Sequence, residues 1–182
     1  MRLSDFEIDV LMKCSAGFLS KEDVQNAIPD KVDYNTLLGL LMDSCKEKNN
    51  SLFEAILCCM PNKLVKNEEE KLFKLLLKER NHFQHENLAT AFQMDFHSNI
   101  SNIDELRNAI NTIPDYLIPD DFKYPYIRKL IYAIGAQPEP YNIEALEKLA
   151  NETEDEQIRE LALHQIEKRK KLGRWKASMN DQ

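Results

Sequence analysis

Glycine is scarce in this chain, with 4 residues in 182. Tight β-turns and phosphate-cradling loops draw on glycine's access to positive φ, so a sheet protein, a Rossmann fold or a P-loop enzyme is not expected. Long apolar runs are also missing: none approaches the roughly 20 residues that span a bilayer. The opening Met1-Arg2-Leu3-Ser4-Asp5-Phe6-Glu7-Ile8-Asp9 holds three acids, which interrupt any apolar stretch a secretory signal would need, so a cytoplasmic protein is expected. Cysteine is limited to Cys14, Cys45, Cys58 and Cys59, at spacings that match no zinc pattern. Cys58-Cys59 falls inside an apolar helical stretch, and the four read as free buried thiols in a reducing compartment. No segment alternates apolar and polar residues long enough to predict a strand, and no catalytic motif is present.

What the chain does contain is ordinary globular material, 43% hydrophobic and 30% charged, which excludes a disordered or fibrous chain. A chain of this size buries roughly 70% of its unfolded surface and needs neither metal nor disulfide to fold. The net charge of −7 comes from 24 Lys and Arg against 31 Asp and Glu, unevenly placed. Residues 1–81 carry 12 basic and 14 acidic side chains, and residues 82–166 carry 6 and 15, a net of −9. From Glu167 onward the chain turns basic, through Lys168, Arg169, Lys170, Lys171, Arg174 and Lys176. A field of −9 repels a phosphate backbone and steers a cationic partner inward, although solubility alone is also served by it.

Helix starts are frequent. Ser4-x-x-Glu7 and Ser51-x-x-Glu54 have the capping-box form, and Ser20-x-x-Asp23 and Thr153-x-x-Glu156 are similar. Apolar residues then recur three or four apart, as in Leu37, Leu38, Leu41 and Cys45, or Ile158, Leu161, Ala162 and Ile166. The pattern predicts ten helices, over 4–14, 20–28, 33–48, 51–60, 67–79, 85–95, 102–112, 122–135, 141–151 and 155–171. Pro29, Pro61, Pro114 and Gly135 supply stops, Gly135 as a left-handed residue just past its helix. Short helices with short connections suggest stacked hairpins in one domain spanning 1–182. A repeat test agrees: Ile127-Arg128-Lys129-Leu130 recurs 31 residues on as Ile158-Arg159-Glu160-Leu161. Asn102-Ile103-x-x-Leu106 recurs 40 residues on as Asn142-Ile143-x-x-Leu146, and Phe92 and Tyr132 share that offset.

Residues 82 to about 170 resemble bacterial HEAT-repeat proteins related to the phycobilisome-lyase-type repeats. The resemblance runs through His85-Glu86-Asn87-Leu88-Ala89, Asn102–Leu106, Ile113-Pro114-Asp115-Tyr116-Leu117, Ile127–Gly135, Ile143–Ala150 and Ile158–Ala162, in the family's order. Gln137-Pro138-Glu139-Pro140 stretches a connection that is shorter in the family. Residues 1–81 resemble no family and read as divergent hairpins continuing the stack, with 171–182 as a basic tail. The resemblance implies an all-α, HEAT-like α-solenoid of about five stacked hairpins with a right-handed superhelix. It further implies a cytoplasmic immunity protein that binds a cognate toxin domain, a basic nuclease, and needs no catalysis or cofactor. Neither nucleic acid nor membrane is expected as a partner. A scaffold or adaptor, or a HEAT-like enzyme such as a chromophore lyase or DNA glycosylase, are the alternatives. Arg128 and Arg159 at equivalent repeat positions are expected to pair with acids of a neighbouring repeat.

The segment from Pro114 to Pro125 reads as a long loop rich in prolines, aromatics and acids. Asp115, Asp120 and Asp121 there either present carboxylates to a partner's Lys/Arg cluster or act as plain loop and cap residues. Tyr116, Tyr124, Tyr126 and Glu86 complete the expected partner-binding set, the aromatics as sources of buried area. His82-x-x-His85-Glu86 puts two imidazoles at helical spacing but has no identifiable third ligand, so a structural role is expected and no metal. Glu68-Glu69-Glu70 suits the positive end of a helix. Lys168–Lys176 with Trp175 either touches nucleic acid or membrane, or caps the last hairpin.

Overall fold

The structure, a computed structural model, describes residues 2–172. The described residues are all-helical, with ten α-helices and no strand; a lone parallel bridge joins Val32 and Asn62. Two compact units form, Met1–Gln84 and His85–Gln182.

The first unit holds α1 (Asp5–Ser15), α2 (Lys21–Ala27), α3 (Tyr34–Lys46), α4 (Asn50–Cys59) and α5 (Lys66–Lys78). Ser4 and Ser20 close reciprocal capping boxes with Glu7 and Asp23, so two orphan N–H groups are satisfied at each start. Asp33 caps α3 by accepting from the Thr36 N–H at 2.9 Å. The cap of α4 is Asn49, which accepts from the Leu52 N–H at 3.1 Å; Ser51 already lies within the helix, so the Ser51–Glu54 box does not form. α4 packs on both α1 and α3, and α5 contacts α3. The fully buried Leu11, Leu41, Phe53, Ile56, Leu72 and Leu76 make the core. Glu68 and Glu69 lie in the first turn of α5, while Glu70 is buried and paired with Lys74 at 3.0 Å.

The second unit holds α6 (His85–Met94), α7 (Ser101–Asn111), a single 3-10 turn (Asp115–Leu117), α8 (Asp120–Ala136), α9 (Tyr141–Glu152) and α10 (Glu156–Leu172). α8 is its axis and packs against all four other helices. Tyr126, Ile127, Leu130, Ile131, Ala133 and Ile134 are all fully buried and form a broad apolar face, an arc of about 160° around the helix. α6 and α10 lie against α8, while α7 and α9 touch each other. Trp175, Arg174 and Lys176 lie outside the described residues.

Gly135 is not a left-handed terminal residue: it sits inside α8, and its φ is not positive. Its missing Cβ has a packing reason instead. A Cβ there would stand 2.8 Å from Gln165 Cγ and 2.9 Å from its Cδ, closer than real contacts allow. Glycine lets α10 approach α8, and the Gly135 carbonyl accepts from the Asn142 amide at 3.0 Å and from Arg169 Nε.

Buried amides tie the helix ends together. Asn102, fully buried, donates to the Phe96 carbonyl at 2.7 Å and to Gln137 Oε1 at 3.2 Å. Gln137 in turn donates to the carbonyls of Phe92 and Ala133. Asn142, 40 positions after Asn102 and equally buried, does the same job for the next connection through Gly135. The bonds to Phe96, Phe92, Ala133 and Gly135 satisfy carbonyls near helix termini, where an unpaired buried acceptor would cost about 1–3 kcal/mol.

Candidate partner-binding surface

Charge in the second unit separates by helix. α7 and α9 carry Asp104, Glu105, Glu144, Glu147 and Glu152 against Arg107 and Lys148. α6, α8 and α10 together carry Glu86, Asp120, Asp121, Glu156, Glu160 and Glu167, against Lys123, Arg128, Lys129, Arg159, Lys168, Arg169, Lys170 and Lys171. The acidity read from residues 82–166 therefore falls on α7, α9, the start of α8 and the connecting segments, which add Asp95, Asp115, Glu139, Glu154 and Asp155 without a Lys or Arg.

The segment expected to be a long loop is mostly structured. Asp115 opens the 3-10 turn, and Asp120 and Asp121 form the first turn of α8, where their carboxylates face the positive helix end. Neither serves as the cap residue, which is Pro119. Pro125 lies inside α8, where it removes the N–H that the Asp121 carbonyl would otherwise accept. All three aspartates are exposed. Between and beside them stand two large apolar side chains that sequence reasoning did not select, Ile118 at 56% exposure and Phe122 at 54%. The signal was in the helical spacing: the buried stripe of α8 begins at Tyr126, which leaves Phe122 without a core to join.

The remaining expected contacts are engaged inside the unit. Tyr126 is fully buried, so its ring offers a partner no surface; it lies edge-on to His85, and its hydroxyl has no hydrogen-bond partner among the described residues. Tyr116 is half-buried, with its hydroxyl 3.0 Å from His85 Nδ1, and burial pushes its phenol up to about 12 against the opposing effect of the His85 backbone. Glu86 forms an ion pair with Lys129, joining α6 to α8. Tyr124 donates to Asp155 Oδ2 at 3.1 Å beside Lys123 Nζ at 3.0 Å, which fixes the start of α8 to the α9–α10 connection.

The two histidines have separate structural tasks. His82 is buried and stacked on Phe53 with ring centroids 4.4 Å apart. Its Nε2–H donates to the Leu76 carbonyl at 2.8 Å while Nδ1 accepts from the Gln84 N–H at 3.1 Å, so both nitrogens are used. No group of three His, Cys, Asp or Glu able to hold a metal occurs among the described residues. Of the thiols, Cys45 and Cys59 are buried, Cys14 is half-buried, and Cys58 is exposed rather than buried. Burial pushes Cys45 up to about 11 and also raises Cys59, so these two thiols stay protonated and weakly nucleophilic at neutral pH.

Arg159 caps the end of α9, donating to the carbonyls of Thr153 at 2.7 Å and Ala150 at 3.3 Å, and pairs with Glu156 on its own helix rather than with an acid of another hairpin. Arg128 is exposed. The Thr153–Glu156 box does not form; Asp155 is the acceptor at the start of α10, for the N–H groups of Gln157 and Ile158. Burial raises the Asp155 carboxyl, but bonds from Lys123, the Ile158 N–H and Tyr124 outweigh it and hold the group below 3.8. Asp155→Ala removes both a cap and a tie, and is expected to cost about 1–2 kcal/mol in urea unfolding. Because the folded carboxyl is depressed, that stabilisation is present above the unfolded value near 3.8 and fades as pH falls below it. The wild-type and variant stabilities should therefore converge in acid.

Comparison with family models, with curated proteins and with solved structures finds no match to the chain.

Proposed function

We propose that this chain is a non-catalytic, cytoplasmic protein-binding module, an immunity protein that neutralises a cognate bacterial toxin domain of basic character. The observation that carries the reading is the acid-rimmed apolar surface at Asp115, Ile118, Asp120, Asp121 and Phe122, held on a 3-10 turn and the first turn of a well-packed helix. Apolar side chains supply area to desolvate, while fixed carboxylates accept a partner's Lys and Arg and speed association. A nuclease toxin is basic because its substrate is a polyanion, so an acidic surface can occlude it by presenting similar charge. The HEAT-like hairpin stack belongs to the same proposal. It is supported by the packing of α6 and α10 on α8, the contact of α7 with α9, and the equivalent buried amides Asn102 and Asn142.

Tagged wild-type protein and the triple variant Asp115→Lys, Asp120→Lys, Asp121→Lys are compared as baits in a lysate of the native host. The expected result is a cationic partner held by the wild type and lost by the variant, with unchanged circular dichroism. A triple Asp→Asn variant, which spares the helix start from like-charge repulsion, should bind with intermediate strength. Retention of the same partner by the charge-reversed protein would overturn the assignment of this surface.

A further inference from the structure

A second candidate lies where the basic end of α10 meets α6 and α8. A groove of about 330 Å³ opens between α6, α8 and α10, at the small end of the range that ligand sites occupy. Lys168 and Arg169 line it side by side. Lys168 Nζ sits 4.8 Å from the centroid of the Tyr132 ring, and Arg169 uses its Nε on the Gly135 carbonyl. Neither has a carboxylate partner among the described residues, although their neighbours Lys170 and Lys171 reach Glu147 and Glu167. Two adjacent cations left uncompensated in an acidic chain call for a dianion. Gln165, also lining the groove, is 4% exposed, and its Oε1 is buried with no hydrogen-bond partner among the described residues. A buried acceptor of this kind is costly unless something donates to it. Met94 and Leu172 form an exposed apolar rim.

We infer that this groove binds a small phosphate monoester whose organic part carries an N–H or O–H donor. The phosphate carries up to two negative charges near neutral pH and is met by Lys168 as a point charge and by the free end of the Arg169 guanidinium as a fork. The donor engages the Gln165 amide that lines the groove, and the apolar rim covers the organic body. This site is independent of the Asp115–Phe122 surface and does not require the proposed partner.

Isothermal titration with adenosine 5′-monophosphate, ribose 5-phosphate, inorganic phosphate and adenosine tests it. Binding of at least one of the two monoesters is expected, with inorganic phosphate weaker for want of the organic body and adenosine at least tenfold weaker for want of charge. Lys168→Ala is exposed and should leave the melting temperature unchanged while weakening the monoester roughly tenfold, the loss of one charge-assisted contact. Gln165→Leu, checked for folding, should lower monoester affinity but leave inorganic phosphate unaffected. No monoester binding at millimolar concentration, or binding that Lys168→Ala does not change, would overturn the inference.

Discussion

Gly135→Ala is expected to cost the second unit about 1–3 kcal/mol, and Gln165→Ala to return most of that loss. The added methyl has nowhere to go: Cγ and Cδ of Gln165 stand 2.8 and 2.9 Å from its position, and the Gln165 side chain is itself buried. Relief requires α10 to move away from α8, which would also stretch the bonds from Asn142 and Arg169 to the Gly135 carbonyl. Truncating Gln165 opens the space at little cost, since its Oε1 makes no hydrogen bond among the described residues. Chemical denaturation of the two single variants and the double should give a coupling energy of about 1–2 kcal/mol. Purely additive effects would mean that α8 and α10 do not meet at this glycine.

Phe53→Ala should have the largest effect in the first unit, about 3–5 kcal/mol. Phe53 is fully buried on α4, the helix that contacts both α1 and α3, and its ring supports the His82 imidazole. Burial lowers the His82 pKa below its ordinary 6.5, against the opposing pull of the Leu76 carbonyl and Glu79. The sign follows from proton uptake. Below about pH 6.5 the unfolded chain protonates this histidine while the folded chain resists, so stability is full above that pH and declines as pH falls toward the depressed folded value. Opening the site with Phe53→Ala hydrates the imidazole, moves its titration back toward 6.5 and flattens this part of the pH profile. Stability measured by urea at pH 7.5 and pH 5.5, with His82 followed by NMR, checks both halves. A variant with an unchanged pH slope would show that the Phe53 stack does not keep His82 neutral.

Local chemistry made the helices legible before any coordinates. Ser4 and Ser20 announce their helices because a short side-chain oxygen next to an acid three residues on can satisfy two backbone donors at once. Ser51 misleads because Asn49, two residues earlier, competes for the same task with a side chain of equal reach. Gly135 is ambiguous in sequence for a related reason: a glycine near a helix end suits either a left-handed turn or a close approach, and only the position of Gln165 decides. The repeat of Asn102 at Asn142 was visible, yet what those amides bond to depends on which carbonyls the packing leaves open.

The candidate surface was legible in its charges and not in its aromatics. Asp115, Asp120 and Asp121 are exposed, as the cost of burying an ionised carboxylate favours. Whether a tyrosine faces inward depends on its turn of the helix. Tyr126 falls on the same face as Leu130 and is buried, whereas Phe122, one turn earlier, runs past the end of the core. The groove between α6, α8 and α10 could not be read in advance at all, because Met94, Tyr132 and Lys168 come from three separate helices.

The most direct test of the electrostatic account is the affinity of the wild-type chain for its captured partner as a function of salt. Between about 50 and 300 mM monovalent salt the association rate and affinity should fall by roughly tenfold or more, and the triple Asp→Asn variant should show a shallower dependence. Equal affinity at both ends of the range would contradict an acidic surface gripping a cationic partner.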